Sequence, residues 1–282
     1  MRILDATSII GVARAKTFCL IILIPYLRTP DMMTYMAKLD VLTQGVGLRT
    51  SLGSLGLCTI ALIRDGGNTL VDTGHFGTRR RVLEALGRLG LMSGDVDRVI
   101  LTHSHWDHSI NLELFRGAKV IISERELAHA RSVRGDDWAT PMSLASLLGE
   151  MRVEAVRGDC ELSGDIRLIE TPGHSPGHQS VLVETDGGTM LLTGDAMPTM
   201  RAYRRGLPDY LTSEAEAKRS IERLKALKPD VYNPGHDRPF RVVEGRPEYI
   251  AGSEVKIIYR NESEEDVTIV LGTESAGKPE RV

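Results

Sequence analysis

The chain reads as an α/β (α+β) protein with two β-rich halves and helices outside them. Three observations predict this. Two strand pairs close through Asp65-Gly-Gly-Asn68 and Asp186-Gly-Gly188, turns made of residues that tolerate positive φ. Each pair is followed by an amphipathic helix, with Val82, Leu83, Leu86 and Leu89 in one and Ile221, Leu224 and Leu227 in the other. A short apolar strand, Arg98-Val-Ile-Leu-Thr102, runs directly into His103-Ser-His105-Trp-Asp107-His108. No fixed-period repeat is visible, which argues against a solenoid.

Taken in order, strands are predicted at residues 39–46, 57–63 and 68–71, then a helix at 79–89. After the histidine run come a short helix at 112–115, a strand at 118–123 and a helix at 124–131. Ser123 with Glu126 three residues on predicts a capping box for that helix. A short helix is expected near 142–148, and strands at 166–170, 179–184 and 189–193. Ser213 and Glu216 predict a second capping box for the helix that carries Ile221. The last core strand is 229–232. Residues 255–260 and 267–271 flank an acidic turn and predict an appended hairpin, before a polar tail.

Composition sets the outer limits. The 282 residues, 41% hydrophobic and 26% charged, suit a soluble globular protein with a sizeable core. A formal charge of −3 gives no electrostatic case for nucleic acid. Cys19, Cys58 and Cys160 form no CxxC pair and no disulfide framework, so a reducing, cytoplasmic compartment is the simpler expectation. The apolar run 17–27, preceded by Arg14 and Lys16, is too short to span a bilayer comfortably. Three readings stand for it: a signal-peptide core without an A-x-A cleavage site, an upstream translation artefact with initiation at Met32 or Met33, or a segment that covers the core. The expected division is an N-terminal segment at 1–36, a main domain at 37–245 and a hairpin extension with tail at 246–282.

The histidine run packs four metal-binding side chains into one turn, in a chain that holds only eight His. A rigid strand that ends in imidazoles and a carboxylate points to a metal site. Such donors suit zinc, and also iron or manganese. Three further candidates sit at strand ends beside Gly or Pro. They are His174 in Thr171-Pro-Gly-His-Ser-Pro-Gly-His178, Asp195 in Leu192-Thr-Gly-Asp195, and His236 in Asn233-Pro-Gly-His-Asp237. His75 reads as a surface-loop histidine, and His129, between two alanines in a helix, has no assigned role.

HxHxDH, a distant His, Gly-Asp and a late Gly-His, over about residues 38 to 240, resemble the metallo-β-lactamase superfamily of metallohydrolases. The resemblance implies a four-layer αβ/βα sandwich with metals at one edge. It implies that His103, His105 and His174 bind one metal, that Asp107, His108 and His236 bind another, and that Asp195 bridges them. Two Zn²⁺ per chain are expected, ~3.5–4 Å apart, with a hydroxide between them. Asp72, in Val71-Asp-Thr-Gly74, also matches a family motif and would fix a ligand histidine through its spare N–H. His178 occupies a position that is not a ligand in the family and reads as a supporting group.

Within the superfamily, Thr171-Pro-Gly-His-Ser-Pro-Gly-His-Gln-Ser180 and Leu191-Leu-Thr-Gly-Asp-Ala196 are similar to the central segment of the N-acyl-homoserine lactonases. Those enzymes place a Tyr three residues after the bridging Asp, where this chain has Pro198. Tyr203 is the substitute expected to touch the substrate carbonyl. The resemblance implies ester or lactone opening of a small molecule, with Asp107 or a metal-bound water returning a proton. A thioester hydrolase similar to hydroxyacylglutathione hydrolase is the rival enzyme, and a mononuclear iron persulfide dioxygenase is a rival from another reaction class. Arg201, Tyr203, Arg204 and Arg205 are expected to border the site mouth. Met32, Met33 and Met36 are read as an acyl-pocket lining or as packing. The C-terminal hairpin is the expected edge for a homodimer. No partner nucleic acid or membrane span is expected.

Overall fold

The computed structural model describes residues 36–51, 53–133, 137–250, 253–260 and 266–273. The chain divides into two units, Met1–Thr34 and Tyr35–Val282, and all described residues lie in the second. The expectations for 17–27, Met32 and Met33 lie outside the described residues. Among the described residues no helix is long and apolar enough to cross a membrane.

The first half begins with β1 (Lys38–Thr43) and a small hairpin of β2 (Arg49–Thr50) and β3 (Gly53–Ser54). Then come β4 (Ile60–Arg64), β5 (Asn68–Val71), α1 (Arg79–Arg88), β6 (Arg98–Ile100) and α2 (Trp106–Ser109). It ends with β7 (Lys119–Ser123), α3 (Glu124–Arg131), α4 (Leu144–Gly149) and β8 (Arg152–Val156). The six-stranded sheet has the order β1-β4-β5-β6-β7-β8, antiparallel as far as β5 and parallel beyond it.

The second half holds β9 (Cys160–Ser163), β10 (Ile166–Glu170), β11 (Gln179–Thr185), β12 (Gly188–Gly194), α5 (Met200–Arg205) and α6 (Glu214–Ala226). It continues with β13 (Val231–Pro234), β14 (Phe240–Val243) and β15 (Arg246–Tyr249). Its seven-stranded order is β15-β14-β13-β12-β11-β10-β9, with only β12 and β13 parallel. This sheet runs on through Tyr249, past the boundary expected at 245. Among the described residues, β16 (Ser253–Arg260) and β17 (Asp266–Thr273) pair with each other and with no other strand.

Three apolar clusters account for the layering. Ile63, Val71, Ile100 and Ile121 of the first sheet meet Ile166, Leu168, Val181 and Leu192 of the second. The opposite face of the first sheet packs Leu62, Leu70 and Val120 against Val82 and Leu86 of α1, Leu127 of α3 and Leu144 of α4. The outer face of the second packs Leu191 and Tyr232 against Met200 of α5 and Ile221 and Leu224 of α6. Each fully buried aliphatic side chain contributes roughly 1.5–3 kcal/mol. The result is helix, sheet, sheet, helix, the four-layer αβ/βα sandwich.

Two cap expectations part company. The Ser213 hydroxyl accepts the Glu216 N–H, as a cap should. The Ser123 side chain makes no cap bond, and the Glu126 carboxylate turns inward to Ser104 instead of back to the helix start. The strands β8, β9, β14 and β15 and helix α5 had no sequence expectation. Their burial is mixed, as in Arg152–Val156, and leaves no clean period.

Candidate metal centre

The candidate ligands leave the sheets at one edge. β5, β6, β10, β12 and β13 all end there, delivering Asp72, the run His103 to His108, His174, Asp195 and His236. The single-turn α2 begins immediately after His105 and turns Asp107 and His108 inward. Three groups of donor atoms form: His103, His105 and His174; His103, His108 and Asp195; and Asp107, His108 and His236. Within each, the donor atoms lie within 4.8 Å of one another. All seven residues expected as ligands therefore come together.

Their hydrogen bonds fix which nitrogen faces inward. His174 Nδ1 donates to the Tyr210 carbonyl at 2.9 Å, and His236 Nδ1 to the Leu57 carbonyl at 3.0 Å. His108 Nδ1 donates to Asp72 Oδ2 at 2.7 Å. The Nε2 atoms of these three rings are thus left for the centre. His174 Nε2 lies 3.0 Å from His105 Nδ1, and His108 Nε2 lies 3.4 Å from His236 Nε2. Asp195 Oδ2 is 3.2 Å from His236 Nε2 and 3.4 Å from His174 Nε2, while Asp195 Oδ1 is 3.4 Å from His108 Nε2. Asp107 Oδ2 is 3.2 Å from His236 Nε2.

These residues fit metal ions on two counts. His103 Nε2 and Asp195 Oδ1 are buried without any hydrogen-bond partner, although buried polar atoms are rarely left unpaired. The spacings of 3.4 Å from His108 Nε2 to Asp195 Oδ1 and from His174 Nε2 to Asp195 Oδ2 also suit donors about 2.0–2.2 Å from a shared tetrahedral cation.

Electrostatics divides the centre. Burial, with the neighbouring imidazoles, pushes His103 and His105 well below the usual histidine range. Burial also lowers His174, against the pull of Asp195. Burial opposes the charged form of His108 and His236 too, but carboxylates win there: Asp72, Asp107 and Asp195 raise His108, and Asp195 and Asp107 raise His236. The Cys58 thiol, which burial keeps protonated, brings no negative charge to this balance. Burial would raise Asp195, but His236, His108 and His174 hold it well below the ordinary carboxylate range.

The supporting residues are specific. Asp72 is buried at φ 58° and accepts the Thr102 N–H at 2.8 Å as well as the His108 ring. Asp tolerates this left-handed geometry better than most residues. His178 is fully buried, and its Nε2 accepts the Asp195 N–H at 2.9 Å and the Ala196 N–H at 3.2 Å. Its Nδ1 therefore carries the proton and donates to Thr171 Oγ1 at 2.8 Å. His178 thus shapes the Asp195 turn and leaves no nitrogen for a metal. Gly194 completes that turn at φ 49°, where a Cβ would lie 2.7 Å from His178 Nε2.

The centre opens into a cavity of about 810 Å³. His105, Asp107, His174, Asp195 and His236 form one side of it; Val46, Trp106, Trp138, Met200 and Tyr210 add apolar surface. Pro198, Arg201 and Arg204 also line it, but Tyr203 does not. The Tyr203 ring packs edge-on against Tyr232 and Phe240, 5.4 Å from each, because its place on α5 points it into the outer core. Tyr210 is the tyrosine at the site, its ring 5.5 Å from His174 and 5.7 Å from His105. Met36 does not line the cavity either.

Sequence reasoning missed other groups. His129 pairs with Asp137 at 2.8 Å, tethering the loop that carries Trp138. His75 caps the Gly77 N–H at 3.0 Å and packs edge-on to Trp106 at 4.9 Å. Asn111 is fully buried and donates to the carbonyls of Thr73 and His75. His129 and Asn111 answer to partners 8 to 38 residues away, and the His75 ring packs on the distant Trp106 as well as capping nearby Gly77, so no local spacing marks their roles.

A four-layer sandwich with a histidine and aspartate cluster at one sheet edge defines a metallohydrolase scaffold. The chain belongs to the metallo-beta-lactamase superfamily, whose pattern matches residues 53–236. It is 33% identical over 162 residues to an N-acyl homoserine lactonase of Bacillus cereus, covering 56% of this chain and 62% of that protein. It is also 33% identical over 180 residues to metallo-beta-lactamase domain-containing protein 1 of Rattus norvegicus, covering 63% of this chain and 64% of that protein. The chain thus spans less than two thirds of the length of either relative. Among solved structures it is similar to an N-acyl homoserine lactone hydrolase with the product N-hexanoyl-L-homoserine bound at its catalytic metal center. That likeness has a TM-score of 0.61 at 25% identity and covers 73% of this chain and 94% of that one.

Proposed function

We propose that this protein is a metal-dependent hydrolase that opens a carboxylic ester or lactone, with N-acyl homoserine lactones as the leading substrate class. The observation that carries this reading is the exposure of Asp107, His174, Asp195 and His236 to one largely apolar cavity. Its size suits a small molecule. The likeness to proteins named as lactonases supports the substrate class.

His103, His105 and His174 would hold one metal ion and Asp107, His108 and His236 a second, with Asp195 between them. Zinc suits these nitrogen and carboxylate donors, and iron or manganese are the alternatives. When bound, such ions supply Lewis acidity and a water made acidic enough to attack at neutral pH. The chain's own residues supply the rest. Asp107 borders the cavity and can accept a proton and return it to the leaving oxygen. Tyr210 and Trp138, ring centroids 5.7 Å apart, form an aromatic wall that orients the substrate and limits water. Because Asp107, His108 and His236 converge as a second donor group, the geometry favours two metals over the single iron of a dioxygenase.

A panel of lactone, aryl ester, thioester and cephalosporin substrates, followed by proton release, tests the reading. Fastest turnover on lactones, with about two zinc per chain, is the expected result. One iron per chain with oxygen uptake, or preference for thioesters, would replace it. The self-contained hairpin of β16 and β17 is the edge proposed for a homodimer, and sedimentation of the full chain reads that state.

A further inference from the structure

We infer that Glu126 is a positioning residue that fixes the separation of the two loops carrying His103, His105 and His174, and so sets the metal affinity of that triad alone. The inference rests on the two-metal reading above. Glu126 is fully buried in the first turn of α3. Its Oε1 accepts the Ser104 N–H at 2.8 Å and the Ser104 hydroxyl at 2.6 Å. Its Oε2 accepts the Ser175 hydroxyl at 2.7 Å and the Gly177 N–H at 2.8 Å.

The placement of these four bonds is selective. Ser104 stands between His103 and His105, and Ser175 follows His174. No hydrogen bond runs from Glu126 to Asp107, His108 or His236. One carboxylate therefore spans both loops of one triad. A buried carboxylate is costly to desolvate, and an apolar residue would fill the same space more cheaply. Its four donors offset that cost, and they are the donors that set loop position. The second loop also rests on the helix backbone, since a Cβ at Gly177 would lie 2.1 Å from the Glu126 nitrogen.

The strands beneath stay joined without Glu126. The Gln179 N–H donates to the Thr102 carbonyl at 2.9 Å, and Gln179 Nε2 to the Leu101 carbonyl at 2.9 Å. Removing the carboxylate should thus loosen the loops before it unfolds the sheets. Glu126→Gln keeps the volume but turns one acceptor end into an NH₂ donor. That end then faces a backbone N–H, at Ser104 or at Gly177, and one loop is released.

The experiment is zinc titration against a competing chelator, with Co²⁺ absorption reporting ligand geometry. Glu126→Gln is measured in a His236→Ala background, which leaves the three-histidine triad, and in a His174→Ala background, which leaves the other. The expected result is an affinity loss of about tenfold or more, with an altered cobalt spectrum, in the first background only. Ser175→Ala removes a single bond and should shift the same background in the same direction; it decides the matter if Glu126→Gln does not fold. Equal losses in both backgrounds, or none in the first, would overturn the inference. Absence of metal binding by the unaltered protein would instead overturn the two-metal reading.

Discussion

Asp72 Oδ2 lies 2.7 Å from His108 Nδ1, and both side chains are buried. The contact leaves His108 Nε2 facing His236, Asp107 and Asp195. Asp72→Asn keeps a residue that tolerates the φ of 58° but presents an NH₂ group to one of two donors, the His108 ring or Thr102. Zinc affinity is expected to fall about 10–100-fold by chelator competition. Unchanged affinity would reduce Asp72 to a turn residue.

Asp195 offers an oxygen to each donor group, and its Oδ1 is buried without a partner. Asp195→Ala should lose metal and activity together, measured by elemental analysis and lactone turnover on one preparation. A variant that keeps two metals and full rate would contradict a bridging role.

The two triads should part on acidification. His103, His105 and His174 are held below the usual histidine range, so few protons compete for them near neutrality. His108 and His236 are raised, so a metal there must displace protons, and its affinity falls at a higher pH. Stepwise zinc release on titration from about pH 8 to pH 5 is expected, with the Asp107/His108/His236 metal leaving first. Without metal the signs are separate. The raised pair stabilises the fold below the unfolded histidine pKa, and that contribution fades as pH rises through the folded values. The lowered triad contributes above the unfolded pKa, and that fades as pH falls through its folded values. Metal-free melting temperature should peak between the two. Release of both metals in one step would argue against this division.

Tyr203→Phe retains the ring contacts with Tyr232 and Phe240, and should leave kcat/KM within about twofold. Tyr210→Ala removes a ring from the cavity beside His105 and His174, and should lower kcat/KM about tenfold, a loss near 1.4 kcal/mol. The opposite ranking would restore Tyr203 to the site.

Both tryptophans of the chain, Trp106 and Trp138, line the cavity. Emission should shift when a lactone product binds, and Trp138→Phe should remove part of that shift. Asp137 holds the Trp138 loop. Burial would raise its pKa, but bonds from Thr140, Ala139 and His129 bring it down to about 2. Its support is full above the unfolded carboxylate value near 4 and is lost as pH falls toward 2. Asp137→Asn should broaden the Trp138 response and raise KM more than it lowers kcat. An unchanged KM would detach this loop from substrate binding.

The sequence by itself determined the two halves, the turns at Asp65–Asn68 and Asp186–Gly188, and the seven candidate ligands. Those features are local: a strand period, a turn residue, a run of donors at a strand end, or a donor beside Gly or Pro. The identity of the inward-facing nitrogens was not local, because carbonyls of Leu57 and Tyr210, distant in the chain, decide it. Glu126 shows the limit most clearly. Its spacing from Ser123 fits a capping box, yet burial against Ser104, Ser175 and Gly177 turns it into a strut between loops. Tyr203 and Tyr210 lie on one segment, and only the packing of α5 onto the outer core sends the first inward and leaves the second at the site. Side-chain type can be read from sequence, but what a side chain touches depends on residues that only the fold brings near.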